Sequence, residues 1–145
     1  MTEIKITLKD GAKAPSYQTE GSAGADVSAF LEEDFILKSG CYSAIPTGIF
    51  MAIPKGYEVQ VRPRSGLAFK NGITVLNSPG TIDSDYRGEV KVILINHSDK
   101  DFTIHNGDRI AQLVLSKVEE AVFSSVTALD ETHRQSGGFG STGVK

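Results

Sequence analysis

Five arginines, Arg62, Arg64, Arg87, Arg109 and Arg134, each stand beside Gly, Pro, Ser, Asp or Gln, whereas the ten lysines are scattered. A guanidinium is a planar fork of donors that suits phosphate oxygens better than an ammonium point charge does. Arginines in turn-like contexts therefore suit a phosphate ligand, although the same pattern serves five surface salt bridges equally well. Asp83 and Asp85, two residues apart before Tyr86-Arg87-Gly88, offer two-carboxylate chemistry or part of a metal-ligand set. Arg64-Ser65-Gly66 reads as the start of a helix, where exposed N–H groups attract anions. Near the C-terminus, Gly138-Phe139-Gly140-Ser141-Thr142-Gly143 formally fits G-x-G-x-x-G. A dinucleotide fold is rejected, because no strand leads in and no helix follows. The Walker pattern fails too, since Val144 separates Gly143 from Lys145. What survives is that glycines let N–H groups approach phosphate closely and hydroxyls add donors. Phe139, an aromatic among glycines, has little use in a tail that only solvates.

The elements that must hold these residues are mostly strands. Apolar residues alternate with a period of two over 4–8, 25–30, 35–37, 42–45, 49–53, 57–62, 89–96, 102–104 and 110–118. The segments are short and β-branched, with Gly, Pro, Asn and Asp between them. One short helix is expected over 65–71, with Ser65 as its N-cap and Asn71-Gly72 as its stop. There is no repeat and no internal linker. The expected fold is all-β, a jelly-roll-like sandwich or barrel, with the folded domain over 1–130 and a glycine-rich arm over 131–145.

Composition removes several function classes. At 145 residues the chain suits one domain with a real core. The net charge of −3 argues against a nonspecific nucleic-acid binder. A single cysteine, Cys41, excludes an internal disulfide and any cysteine-based zinc site. His97, His105 and His133 have no ligand spacing. No apolar run could span a bilayer, and the alternation at the start reads as a strand rather than a signal peptide. A cytosolic location is expected, with no membrane partner.

Four further segments stand out: Ala23-Gly24-Ala25-Asp26-Val27, Arg62-Pro63-Arg64-Ser65-Gly66-Leu67-Ala68, the run from Leu76 to Glu89, and Gly107-Asp108-Arg109-Ile110-Ala111-Gln112-Leu113. Each alone has a dull explanation; Asp-Tyr-Arg-Gly and Asn-Ser-Pro-Gly are good turns. In this order, with the glycine-rich tail as the fifth, they closely resemble the five motifs of the homotrimeric dUTP pyrophosphatase family. The resemblance spans residues 23–143.

That resemblance implies a jelly-roll homotrimer whose active sites each draw on all three chains and split dUTP into dUMP and pyrophosphate. A hairpin of the third motif would receive uracil, with Asn77, Gly80, Thr81, Ile82 and Lys91 reading its edge through backbone groups. Uracil offers an N3–H donor between two carbonyls. Cytosine in the same pocket would leave groups unpaired at roughly 1–3 kcal/mol each. Tyr86 would pack on the deoxyribose and leave no room for a ribose hydroxyl. Asp83 would take a proton from a water aimed at the α-phosphorus, with Asp85 only a hairpin residue. Arg64, Ser65 and Gly66 would hold phosphates together with Gln112, and Arg134 would reach the γ-phosphate. Phe139 would stack on uracil as the arm closes with Gly140, Ser141 and Thr142. Asp26 would support Arg64 and touch Mg²⁺ through water. With no carboxylate cluster to cage an ion, the magnesium would arrive mostly on phosphate and water. Gln135 departs from the glycine that many relatives carry, and a slight stiffening of the arm is expected. Arg87 and Arg109 are left outside the site as potential ion-pair partners.

Two rivals remain. A dCTP deaminase of related fold should place a glutamate near the base, and the nearby Glu89 lies past the turn. A noncatalytic nucleotide-binding trimer would not need Asp83 or the tail.

Overall fold

The alternation predicts sheets, and a computed structural model, describing all of Met1–Lys145, contains eleven strands and one helix. The strands are β1 (Lys5–Leu8), β2 (Ala25–Ser28), β3 (Phe35–Leu37), β4 (Tyr42–Pro46), β5 (Ile49–Ala52) and β6 (Tyr57–Arg62), then β7 (Ile73–Val75), β8 (Gly80–Ile82), β9 (Lys91–Asn96), β10 (Phe102–Ile104) and β11 (Arg109–Lys117). All pairs are antiparallel. A four-stranded sheet runs β2-β11-β6-β8 and a three-stranded sheet runs β4-β9-β7, with the small pairs β1-β5 and β10-β3. One cluster of 19 buried apolar residues joins Val27, Val59, Val61, Ile82 and Leu113 of the first sheet to Ile45, Ile73, Val92 and Leu94 of the second. This is the expected jelly-roll-like sandwich.

Nine strands fall where alternation places them, within two residues at either end. β7 and β8 were not expected. Each has three residues, and β8 begins with a glycine, so local propensity is weak and pairing to β9 and β6 makes them strands.

The helix α1 (Ser65–Asn71) has the expected limits but a different start. Its N-cap is Arg64, extended at φ −92° and ψ 128°, with no side-chain capping bond, and Ser65 lies inside the helix. Arg64 continues the extended path of β6, and its guanidinium is tied to the Arg109 carbonyl at 2.9 Å, so the chain turns one residue earlier than the serine suggests. The stop is as expected: Gly72 takes φ 65°, a left-handed conformation that glycine adopts without strain.

Beyond β11 there is no strand or helix. The Val118 amide bonds the Gly56 carbonyl at 3.0 Å, and past it the main-chain bonds are only local turns around residues 132–143. Phe123, Leu129 and Phe139 are exposed and cover nothing of their own chain.

Candidate functional site

The first cluster is built on a β-bulge. β11 pairs Arg109 with Ser28 and Gln112 with Asp26, and the register shifts between Arg109 and Ala111. Three residues apart on a regular strand, Arg109 and Gln112 would point to opposite faces. The extra residue returns both to one face while Ile110 and Ala111 are both buried. Arg109 Nη1 then donates to Asp26 Oδ2 at 2.9 Å, and Gln112 Nε2 to Asp26 Oδ1 at 3.2 Å. Arg64 Nε stands 3.9 Å from the same Oδ1, and Arg64 Nη1 bonds the Arg109 carbonyl at 2.9 Å. Gly24 makes room, since a Cβ there would sit 3.0 Å from Gln112 Cβ. The first, second and fourth motifs are thereby tied to one carboxylate whose side chain is 3% exposed. Arg109, left outside the site on sequence grounds, is a structural partner of Asp26.

Removing one partner of a buried ion pair strands the other. Asp26→Ala is expected to lower stability by about 3 kcal/mol, the low end of that range because Arg109 stays half exposed. Urea unfolding measures it, and a midpoint equal to the wild type's would show that the carboxylate does not organise the cluster.

The second cluster is the loop from Asp83 to Val90. Its arms are not a paired hairpin, because β8 belongs to the sheet of β6 while β9 pairs with β4 and β7. The loop is held by its own bonds instead. The Tyr86 amide donates to Asp83 O at 3.2 Å. Arg87 Nη1 donates to Ser84 O at 2.8 Å and Tyr86 O at 3.0 Å. Tyr86 Oη donates to Glu89 O at 2.9 Å. At the base, Val90 N reaches Ile49 O at 2.8 Å, and the buried Thr47 hydroxyl donates to Val90 O at 2.6 Å. Lys9 Nζ lies 2.9 Å from Glu89 Oε1, a charge contact out of line for a hydrogen bond. The pairings of Thr47 with Val90 and of Lys9 with Glu89 gave no sequence signal, since the partners are about 40 to 80 residues apart. Asp83 is exposed, and its carboxylate makes no hydrogen bond or ion pair within the chain, which leaves it open to a water.

β8 lies at the edge of its sheet, paired only with β6. The N–H and C=O groups on its outer side are unclaimed, a template for main-chain recognition. Ile82 anchors it in the core at 7% exposure, and Gly80 is buried with Asn77 Nδ2 3.3 Å from where its Cβ would be. Thr81, Asn77 and Lys91 (the first residue of β9) are exposed. Ser78 and Pro79 line a cavity with Gln60, Arg62, Pro63 and Gln112, bringing the start of the third motif beside the fourth. Ser65 and Gly66 are exposed, and a Cβ at Gly66 would meet nothing within 4 Å, so that glycine leaves open backbone rather than filling a packing constraint.

The third group, Arg134, Phe139, Gly140, Ser141 and Thr142, stands apart. Arg134 Nε donates to Gly137 O at 2.7 Å within the tail, and Phe139 is fully exposed. Gln135 holds φ 49°, a left-handed conformation that costs a non-glycine residue about 1–2 kcal/mol. The single chain therefore carries its candidate residues in three places. No hydrogen bond or ion pair joins Asp83, Tyr86 or the tail to the Asp26 cluster.

No group of three or more His, Cys, Asp and Glu could hold a metal ion. Both Asp26 oxygens already face nitrogen donors, so that carboxylate is not a free metal ligand. The histidines stay out of the site. His105 is held above its ordinary range by its hydrogen bond to Asp34, Nδ1 to Oδ1 2.8 Å, and by that carboxylate's charge.

Comparison with known proteins gives a consistent result. The dUTPase family model matches residues 10–143. The deoxyuridine 5'-triphosphate nucleotidohydrolase of Treponema denticola is 56% identical over 142 residues, covering 98% of this chain and 99% of its own. Among solved structures, a mutant dUTPase of Staphylococcus bacteriophage 80alpha with dUpNHpp superposes at a TM-score of 0.88, with 23% identity, 99% of this chain and 100% of that one. A mutant dUTPase from phage phi11 of S. aureus, described as revealing the coordination of a structural Mg(II) ion, gives a TM-score of 0.77 with 22% identity over 88% of this chain and 98% of that one. At those identities the two structures speak for the fold alone.

Proposed function

Because the chain belongs to the dUTPase family and hydrolyses dUTP to dUMP and pyrophosphate, we propose that Asp83 is the base of that reaction and that three copies assemble each site. The observation that carries this is the division of the candidate residues. A site needs a phosphate grip, a base pocket and a closing arm, and one chain holds them in separate places. Copies of the chain, by supplying one group each, bring them together.

In the assembled site, uracil lies against the unpaired edge of β8, where main-chain groups around Asn77, Gly80, Thr81, Ile82 and Lys91 meet its N3–H and two carbonyls. Tyr86 forms the wall beside the deoxyribose. Arg64, Ser65, Gly66 and Gln112 hold the phosphates, and the buried Asp26 carboxylate orients two of those side chains. Arg134 and Phe139 arrive on the arm with Gly140, Ser141 and Thr142, one on the γ-phosphate and the other on the base. Asp83 takes a proton from a water as its oxygen attacks the α-phosphorus, and the bond to the bridging oxygen breaks to release pyrophosphate. Positioning and charge stabilisation carry most of the rate. With no carboxylate cage in the chain, Mg²⁺ would be held mainly by the substrate's phosphates and would supply charge neutralisation on the leaving group. The 1–130 sandwich and the 131–145 arm act as scaffold and lid.

Pyrophosphate release from dUTP, dCTP, dTTP and UTP, with and without magnesium, tests this reading. Release is expected from dUTP, weakened by chelation, and at least tenfold below it from the other three: dCTP leaves buried groups unpaired at roughly 1–3 kcal/mol each, UTP brings a ribose hydroxyl against Tyr86, and dTTP brings an extra methyl into the base pocket. Ammonia release from dCTP would favour the deaminase alternative. Nucleotide binding without release would favour the noncatalytic one.

A further inference from the structure

We propose that Gly88 determines the sugar selectivity of the site, by leaving the space in which the Tyr86 ring lies. This deepens the reading above and rests on Tyr86 being the wall beside the deoxyribose.

The Tyr86 side chain folds back along its own loop. Its hydroxyl donates to Glu89 O at 2.9 Å, and its ring crosses the backbone of residue 88. A Cβ at Gly88 would lie inside contact distance of three Tyr86 atoms: Oη, Cζ at 2.6 Å and Cε2 at 2.9 Å. Carbon atoms rest about 3.5–4.0 Å apart, so the ring and a methyl at residue 88 cannot coexist in this arrangement. Gly88 has no positive φ. It is needed for its missing side chain, not for its backbone freedom.

What yields to a methyl follows from the anchors. Arg87 holds Ser84 and Tyr86 carbonyls, and the buried Val90 is fixed by its own N–H donating to Ile49 O and by the Thr47 hydroxyl donating to its carbonyl. The backbone on both sides of Gly88 is pinned. Tyr86 has 45% of its surface open and can swing outward. A ring displaced in that way loses Glu89 O and no longer stands flush against C2′. The wall that excludes a ribose hydroxyl then opens, and selectivity falls even though every group that touches the substrate is still present.

The experiment compares kcat/KM for dUTP and UTP in the wild type, Gly88→Ala, Tyr86→Ala and the double variant. The readout is the dUTP:UTP ratio, which a general loss of folded protein leaves alone. Gly88→Ala is expected to lower it about 10- to 200-fold, the span of discrimination by shape in a pocket. Tyr86→Ala should lower it as well, and adding Gly88→Ala to that background should change nothing further. A ratio that falls for Tyr86→Ala but holds for Gly88→Ala overturns the role of Gly88 and leaves the Tyr86 reading standing. An unchanged ratio for Tyr86→Ala removes that reading and the inference with it. Should Gly88→Ala fold poorly, the melting temperature decides. Recovery in the double variant places the clash on the Tyr86 ring, and no recovery places it elsewhere and overturns the proposal.

Discussion

Asp83→Asn is expected to lower kcat for dUTP about 10²–10⁴-fold, the usual worth of a positioned general base, while binding of a nonhydrolysable dUTP analogue stays near the wild-type value. The exchange keeps the size and polarity of the side chain and removes its ability to accept a proton. The Asp83 carboxylate makes no hydrogen bond or ion pair within its chain, so the fold has nothing to lose, and an unchanged melting temperature should accompany the loss of turnover. Asp85→Asn is the matched control, since Asp85 is exposed in the same loop and should keep nearly full rate. Single-turnover kinetics beside calorimetric titration separates the two effects. Undiminished hydrolysis by Asp83→Asn would take that residue out of the mechanism, and loss through Asp85→Asn alone would transfer the role.

Truncation after Asp130 should reduce kcat/KM for dUTP by roughly 10²–10⁴. Base stacking on an aromatic is worth about 1–3 kcal/mol, and a hydrogen bond to a charged group about 1.5–3 kcal/mol. Loss of Phe139 and Arg134 together thus removes several kcal/mol, each 1.4 kcal/mol being a factor of ten. Water exclusion by the closing arm is lost as well. The last strand ends at Lys117, and the 19-residue core includes nothing beyond Leu113. The shortened chain should therefore melt with the intact one and keep the same strand content by circular dichroism. Full activity after truncation would refute the role of the arm, and collapse of the fold would mean that the arm is structural.

These two residues sets were legible to different degrees. The strands carrying Val59, Val61, Val92 and Leu94 announce themselves, because alternate residues face a core and the pattern is written locally. β7 and β8 do not, since a three-residue strand exists only through its partner. The bulge beside Arg109 had a trace in the sequence, the apolar doublet Ile110-Ala111 that breaks the alternation, but its effect on Asp26 needs the facing strand. Ser65 misled as a cap because the tether between Arg64 and Arg109 is made across 45 residues. The order of the motifs pointed to Asp83, Tyr86 and Arg134, yet no periodicity bears on the proposal that they meet on different copies. Likewise Gly88 reads as an ordinary turn glycine until the Tyr86 ring is seen lying over it.

Main-chain atoms along the free rim of β8 are common to every amino acid sequence that keeps that strand in register. Under the proposed reading, a preference for uracil recorded there is insulated from most point mutations, which alter side chains and leave the peptide path alone. Drift in the population can then change the surface of this protein widely without teaching it to destroy dCTP. An engineer wishing to retarget it would have to reroute the chain around Pro79 and Gly80, by insertion or deletion, because swapping letters would not reach the groups that do the reading.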